Sequence, residues 1–477
     1  MYHVSDLKRF NRCHRLYYYD PLHQISFIPR SRSDVSLGEL LCRKLNIDIY
    51  FTGNVGDPNE AFLDNIPSFE WFLYPRLDLD GFRINVPVVH KLADGFDLYF
   101  LFRGTNQKEL DMLNLSCCLQ VFEEFGLQVN EIYMISFVPS YIREGDLDPN
   151  KLFTFSPYFK GKKIVDTVRE KPANYKDLIA QMESYIPSDP VKKGSACHRE
   201  SVCPFNYSCF PEEINMEDNS IMTLISSRNR KRMYRNGVRY LKDAQLALVE
   251  GNRIQYAQIM ADRNGGLYLD RCALSLWMKP LEQRPISFID FEWDCFLVPA
   301  YDGMKPLDDL CFEYALYTLD EAGEFKHSVY VGKHDCRKEF VESLLKDLPQ
   351  NGPILAYNAA GAECLRIKEL ANIFPEYSSR LLAIAERFID LSDPFIEGLV
   401  YDTRFRGNFT LKRIVSVISD YSYDRLAIHD GVQAVEYWRN YEKAEESTAL
   451  GIKNDLSEYC SLDAYGLYLL YPWLKKL

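Results

Sequence analysis

The residues best placed to do chemistry in this chain are carboxylates. In PISFIDFEWDCF, Asp290 and Glu292 lie two apart in an alternating, β-rich run, so on a strand both project from one face beside Phe288. Two unpaired carboxylates on one face repel, and a divalent cation relieves that repulsion. In SEYCSLDAYGLYLL, Tyr459 and Asp463 stand four apart, on one face of a predicted helix. Between these, GPILAYNAAGAECLRIKELA runs from an apolar strand through Asn358 into a helix that carries Glu363 near its start. That puts a third acid at a strand–helix junction, where functional carboxylates commonly sit. Taken singly, the first pair also fits a solvent-facing edge strand, and YxxxD is weak.

Thiols form the second chemical set. Of 13 cysteines, Cys197, Cys203 and Cys209 fall in GSACHRESVCPFNYSCFP at equal spacing, with Pro204 and Pro211 marking an irregular loop. Three thiolates on one loop can face one metal centre, and Cys13 in RFNRCHRLYYY is the candidate fourth ligand. The spacing excludes a zinc ribbon built from CxxC pairs. The alternative, cysteines packed as small hydrophobes, does not account for a cluster in a Pro-containing loop. His3, His14, His90 and His198 have no metal-ligand spacing, and no phosphate-binding G-x-x-x-x-G-K-[ST] loop is present, which argues against an ATP motor.

The elements that must position these groups fall into three segments. Residues 1–215 are α/β: FRINVPVV and DLYFLFR read as strands, DMLNLSCCLQVFEEFGL as a helix and EIYMISFVPSY as a further strand. Residues 216–284 read as a helical connector, with RNRKRMYRNG and LKDAQLALVEGNRIQYAQIMADRNGG broken at glycines. Residues 285–477 are α/β again. The 477 residues are 47% hydrophobic and 26% charged, a globular and not a disordered composition. No apolar run approaches the ~18 to 20 residues of a membrane span, and MYHVSDLKRFNRCHR has no apolar signal core. A cytoplasmic protein without a membrane partner is expected. The net charge of −12 does not advertise nucleic-acid binding. One block departs from it: Arg228, Arg230, Lys231, Arg232, Arg235, Arg239 and Lys242 form a run without an acid. That run suits either a phosphate backbone, with Tyr234 and Tyr240 for stacking, or a plain solvated helix face.

One cysteine near the N-terminus and three in a later loop resemble the iron–sulfur RecB-like nucleases of the CRISPR-adaptation and AddAB types. In these a [4Fe–4S] cluster staples the two ends of a PD-(D/E)XK fold. SYIREGDLDPNKLF and CPFNYSCF resemble the first half of a bacterial family that fuses such a domain to a DnaQ-like exonuclease. The resemblance implies that Cys13, Cys197, Cys203 and Cys209 hold the cluster. It also implies that this nuclease site is lost, because Pro87, Phe100 and Phe102 stand where the family has its Asp, Glu and Lys, and Cys118 where a Gln is usual.

The order Asp290/Glu292, Glu363, Tyr459/Asp463 is similar to the DEDD exonucleases of RNase H-like, DnaQ type, in their tyrosine subclass. FIDFEWDCFLVPAYDG, AYNAAGAECLRIKELA, RGNFTLKRIV and LSEYCSLDAYG resemble successive blocks of the fused family. The resemblance implies 3′→5′ hydrolysis of DNA or RNA, single-stranded or with a free end, using two Mg²⁺ or Mn²⁺ ions about 3.5 to 4 Å apart. Asp290 would bridge both ions, Glu292 and Asp463 would each complete one ion's shell, Glu363 would ligate directly or through water, and Tyr459 would orient the attacking water. Two departures stand out: Glu363 follows Asn358 by five residues where the family has an Asp after four, and Trp293 follows DxE where Thr is usual. Asp390, in RFIDLSDPF, resembles a further family Asp and is an alternative to Glu363. Two other readings stay open at this point, a catalytically inactive nucleic-acid-binding scaffold and a zinc-bound interaction protein.

Overall fold

The computed structural model describes residues 1–20, 31–187, 205, 209, 218–225, 227–423 and 425–477, the side chains of 227 and 231 excepted. Cys197 and Cys203 lie outside the described residues; Cys13 and Cys209 lie within them. The chain divides into two compact units, residues 1–210 with 295–308, and residues 211–294 with 309–477. Each has an α/β architecture with mixed sheets. Among the described residues no helix is long and apolar enough to cross a membrane.

In the first unit the helices Val4–Arg12 (α1), His14–Tyr19 (α2) and Leu37–Leu45 (α3) precede a sheet of six strands. Its strands are Phe51–Thr52 (β1), Trp71–Leu73 (β2), Val88–Leu92 (β3), Gly95–Phe102 (β4), Val129–Phe137 (β5) and Phe153–Ser156 (β6), in spatial order β6-β5-β4-β3-β2-β1. β3 and β4 are an antiparallel hairpin, whereas β4 and β5 are parallel and need a crossover. The helix Met112–Glu124 (α4) supplies it, and its Leu115, Cys118, Leu119 and Phe122 pack with Phe96, Leu98 and Phe100 of β4. Ile164–Glu170 (α5) and Tyr175–Ser184 (α6) complete that core. The run FRINVPVV is not one strand. Phe82–Asn85 joins a separate three-stranded sheet, and the chain enters β3 only after Pro87, which has no N–H to give a ladder.

In the second unit the basic block folds as Ser227–Arg235 (α7), and the following stretch is less helical than its pattern suggests. Leu241–Asp243 and Leu246–Leu248 are single 3₁₀ turns, and only Arg253–Arg263 (α8) is α-helical. The reason is local. Gly251 takes φ +76°, which ends the preceding turn, and Asn252 caps α8 by accepting from the Gln255 N–H at 3.0 Å. Residues 216–284 are packed into this unit: Ala257, Ala261, Leu274 and Leu281 share a core with Phe288 and Leu355, and Leu267–Leu269 pairs antiparallel with Val400–Asp402.

The sheet of the second unit contains Ile286–Phe296 (β7), Asp308–Leu319 (β8), Phe325–Val331 (β9), Ile354–Ala356 (β10) and Phe388–Asp390 (β11), in the order β9-β8-β7-β10-β11. β8 and β9 are antiparallel, while β10 runs parallel to both β7 and β11. The helices are Arg337–Asp347 (α9), Glu363–Ile373 (α10), Pro375–Ala385 (α11), Leu411–Ile418 (α12), Gly431–Lys443 (α13) and the long Glu446–Lys476 (α14). Period-two alternation on β7 divides them. Ile289 and Phe291 pack with Phe340 and Val341 of α9 and Ile367 of α10. Phe288 packs with Ile414 of α12 and Leu467 and Leu470 of α14, so Asp290 and Glu292 belong to the α12/α14 side.

At the end of this strand segment the buried Asp294 carboxylate is gripped by Arg439 of α13 through two hydrogen bonds, Nε to Oδ2 at 2.9 Å and Nη2 to Oδ1 at 2.7 Å. Removing one member of such a pair leaves a desolvated charge. Asp294→Asn should therefore lower the unfolding free energy by about 3 kcal/mol in denaturant titration. A loss within about 0.5 kcal/mol would mean that the pair does not tie α13 to the sheet.

Candidate metal centre

The sheet order reverses beside β7. The chain runs out through β8 and β9 on one side and returns to build β10 and β11 on the other. In open sheets the crevice at the carboxyl ends of parallel strands next to such a switch point is where ligands bind. Asp290 and Glu292 flank the midpoint of β7, just past its parallel pairing with β10, Asn358 and Glu363 follow β10, and Asp390 ends β11.

Three of the expected acids converge. Carboxylate oxygens of Asp290, Glu292 and Asp463 all lie within 4.8 Å of one another, and among the described residues no other group of three His, Cys, Asp or Glu ligand atoms does so. Asp463 and Tyr459 are brought to the strand by α14, one turn apart, with Asp463 only 8% exposed. Glu363 is outside this closest group but beside it. Its carboxyl accepts from its own N–H and from the N–H of Phe291, the residue between Asp290 and Glu292. Its Oε2 is buried without a hydrogen-bond partner. The alternative acid, Asp390, raises Glu363 by its charge and uses one oxygen structurally: its Oδ1 accepts from the N–H groups of Asn358 and Ser392, both at 2.9 Å. It thereby holds the turn at Asn358, whose φ of +56° is one that Asn tolerates better than most residues.

Four further residues complete the site and were not legible as functional in the sequence. Lys412 of α12 donates to the Tyr459 hydroxyl at 3.2 Å and to the His429 carbonyl at 2.5 Å, with its ammonium 4.6 Å from the Tyr423 ring centre. Tyr423 donates to Asp463 Oδ1 at 2.5 Å. The Cys460 thiol, next to Tyr459 on α14, points to the Asp290 carbonyl at 3.4 Å and its Oδ2 at 3.6 Å. Gly431 opens α13 where a Cβ would stand 3.4 Å from Glu292 Oε2. Lys412 sits inside the block RGNFTLKRIV, and that was its one signal; Tyr423 has no spacing that would have singled it out.

The electrostatics are those of excess negative charge with one partial counter-ion. Burial, followed by the charge of Asp463, pushes Glu292 from its ordinary 4.5 to about 8, against the lowering effect of Lys412. Burial also pushes Glu363 to about 8 and holds Asp290 well above the usual carboxylate range, Asp290 being further raised by Asp463, Glu292 and Glu363. Asp463 is raised by burial as well, and Lys412, Tyr423 and Tyr459 act against the shift. Behind them Glu313 of β8 is fully buried with neither carboxyl oxygen partnered, and burial raises it strongly.

The thiols of the first unit offer a different observation. Cys13 lies at the junction of α1 and α2, in extended conformation, and Cys209 comes from the far end of the same unit. Burial raises the pKa of Tyr185, its hydrogen bond with Arg15 opposes that, and the thiols of Cys13 and Cys209 each raise it slightly further, so both act on one phenol electrostatically. Phe10 stacks on His14 at 3.9 Å and meets Tyr185 edge-on at 5.9 Å, forming an aromatic wall beside Cys13.

Compared with known proteins, residues 287–410 match a family described as a domain of unknown function, DUF2779. That range takes in Asp290, Glu292, Glu363 and Asp390 and stops before Lys412, Tyr459 and Asp463. No curated protein matches the chain. Among solved structures, a family B DNA polymerase from the hyperthermophilic archaeon Pyrobaculum calidifontis is similar at 16% identity and a TM-score of 0.26, over 38% of this chain and 24% of the polymerase.

Raised carboxyl pKa values set a sign for stability. Glu292 and Glu363 favour the neutral form when folded, so their contribution is fully present below about pH 4.5 and is lost as pH rises through about 8. In EDTA the melting temperature should fall across that window, and Mn²⁺ should raise it more at pH 8 than at pH 5.5. A flat profile in EDTA, or an equal Mn²⁺ effect at both pH values, would rule out this charge arrangement.

Proposed function

We propose that the protein is a metal-dependent 3′→5′ exonuclease that hydrolyses phosphodiester bonds of DNA or RNA. In this reading the second unit is an RNase H-like, DnaQ-type exonuclease of the tyrosine subclass. The first is a PD-(D/E)XK, RecB-like unit that has lost its nuclease chemistry and carries a [4Fe–4S] cluster. The observation that carries the reading is the convergence of Asp290, Glu292 and Asp463 beside the buried, unpartnered Oε2 of Glu363.

The donor set fits hard divalent cations. It is made of carboxylate oxygens, which Mg²⁺ and Mn²⁺ prefer, and desolvated acids gain from a cation what they lose by ionising together. Asp290, Glu292 and Asp463 would hold the metal, with Glu363 reaching it directly or through water. Two such ions would clamp the attacking and leaving oxygens of an in-line displacement. The side chains supply the rest. Cys460 and Tyr423 fix the Asp290 and Asp463 carboxylates in place, so their oxygens need no rearrangement when substrate arrives. Tyr459 presents a hydroxyl between Asp463 and the Lys412 ammonium. Lys412 keeps that hydroxyl accepting on one side, which leaves its proton to be directed at a carboxylate or at a water poised for attack.

For the first unit, the support is that Cys13 and Cys209, from opposite ends of the segment, both act electrostatically on Tyr185. With Cys197 and Cys203 they would supply the four thiolates of a cluster, tying those ends together. A cytoplasmic location, where thiols stay reduced, accords with this. The lost chemistry is supported by Phe100, which is buried in the core, and Phe102, which packs against it. Apolar rings there offer no oxygen to a cation.

End-labelled DNA and RNA strands incubated with Mg²⁺ or Mn²⁺ test the activity. Label should be released stepwise from the 3′ end, and Asp290→Asn should abolish release. Tyr459→Phe should slow turnover about 10²-fold while leaving Mn²⁺ affinity unchanged. Hydrolysis surviving in Asp290→Asn, or none in the wild type, would overturn the proposal. Anaerobically purified protein should carry about four irons per chain, and Cys13→Ser should lose them together with the broad visible absorption. Zinc in place of iron would dismiss the cluster.

A further inference from the structure

The basic segment is sorted by its fold into cations that are used internally and cations that are not. Arg230 turns inward, where its guanidinium donates to the carbonyls of Met222 and Leu224 at 2.9 and 3.3 Å. Arg239 lies over the Tyr234 ring at 4.4 Å, and Lys242 over the Tyr240 ring at 5.4 Å. Arg228, Arg232 and Arg235 are different. They stand at i, i+4 and i+7 on α7, all exposed, and with Asn236 they line one concavity. Among the described residues none of the three has an acidic partner, and Arg232 contacts only the Asn229 amide, at 3.4 Å. Other arginines of the same unit are satisfied internally: Arg253 pairs with Asp270, Arg404 with Asp402, Arg406 with Asp218 and Arg439 with Asp294, while Arg263 and Arg387 donate to backbone carbonyls. Like charges one turn apart destabilise a helix by a few tenths of a kcal/mol per pair, so this face costs stability unless an anion covers it.

We infer that the face of α7 formed by Arg228, Arg232 and Arg235 binds the phosphate backbone of a single-stranded nucleic acid, a reading that rests on the nucleic-acid activity proposed above. Guanidinium groups spaced along one helical face meet successive phosphates, each able to take paired N–H···O bonds. The exposed rings of Tyr234 (40%) and Tyr240 (36%), each backed by a cation, give neighbouring bases a surface to stack on. In a chain of net charge −12, a local cationic face of this kind concentrates the polyanion where the protein as a whole repels it.

The test is fluorescence anisotropy of a labelled 20-nucleotide single strand, titrated with full-length protein in EDTA at several KCl concentrations. Wild type is compared with Arg228→Gln/Arg232→Gln/Arg235→Gln and with a charge-matched control, Lys338→Gln/Lys346→Gln/Lys368→Gln, which alters exposed lysines of α9 and α10. The arginine variant should bind at least about tenfold more weakly at low salt, and its log K against log[KCl] slope should be shallower by about 2, three phosphate contacts at roughly 0.7 each. The control should keep the wild-type slope. An arginine variant with wild-type affinity and slope overturns the inference, as does an equal loss in the control. So does arginine-dependent binding to phosphatidylserine vesicles with none to the oligonucleotide. Because binding is read without metal, wild type that hydrolyses strands while the arginine variant binds normally defeats this inference and leaves the exonuclease reading intact. Arginine-dependent binding without any hydrolysis does the reverse.

Discussion

Several carboxyl groups are held where they cannot all be ionised, and most of the second unit is arranged around that repulsion. Asp290 and Glu292 are forced to one side of β7 by the pleat, because Ile289 and Phe291, which alternate with them, are committed to the opposite core. α14 then brings Asp463 against them, anchored by Leu467, Leu470 and Leu474 in the core on that side. Hydrophobic burial along the strand and the helix thus works against electrostatics at one place. The protein meets the strain with hydrogen bonds from Tyr423 and Cys460, the N–H of Phe291 and a single ammonium, Lys412. One partly shared positive charge does not balance four acids. A divalent cation would, and the proposed function rests on that convergence of acids and not on one motif.

The same constraint explains the supporting residues. Gly431 leaves room for the Glu292 carboxylate at the start of α13, and Asp294 two residues further along β7 fixes that helix through Arg439. Asp390 holds the Asn358 turn and so determines where α10 begins and where Glu363 can reach. The position of Glu363 five residues after Asn358 has a structural counterpart. The longer side chain starts from the first residue of α10 and still touches the backbone of β7 midway between the two strand acids.

Much of this was legible in the sequence because local patterns coincide with tertiary roles. Alternation in ISFIDFEW predicts a strand with paired acids, YxxxD predicts a shared helix face, and both are found. Where local pattern and tertiary context conflict, the sequence misleads. FRINVPVV alternates through Pro87, yet the missing N–H sends its two halves to different sheets. Residues 241–266 carry helix-forming side chains, but Gly251 and the Asn252 cap divide them, and the pairing of Leu267–Leu269 with Val400–Asp402 ends them. The roles of Lys412, Tyr423 and Cys460 were not legible, since each contributes through a contact far away in the chain. The four-thiolate set is a matter of spacing, and of its members only Cys13 and Cys209 lie within the described residues.

The central claim is that Asp290, Glu292, Glu363 and Asp463 form a site for a pair of divalent cations. Electron paramagnetic resonance of the full-length protein titrated with Mn²⁺ at pH 8 addresses it most directly, because two manganese ions about 4 Å apart couple magnetically and a single ion does not. Free Mn²⁺ signal should vanish until two equivalents per chain have been added, with a coupled multiline spectrum growing in its place. If the Mn²⁺ signal instead stays that of free ion, or if Asp290→Asn gives the same coupled spectrum as wild type, these carboxylates do not form such a centre.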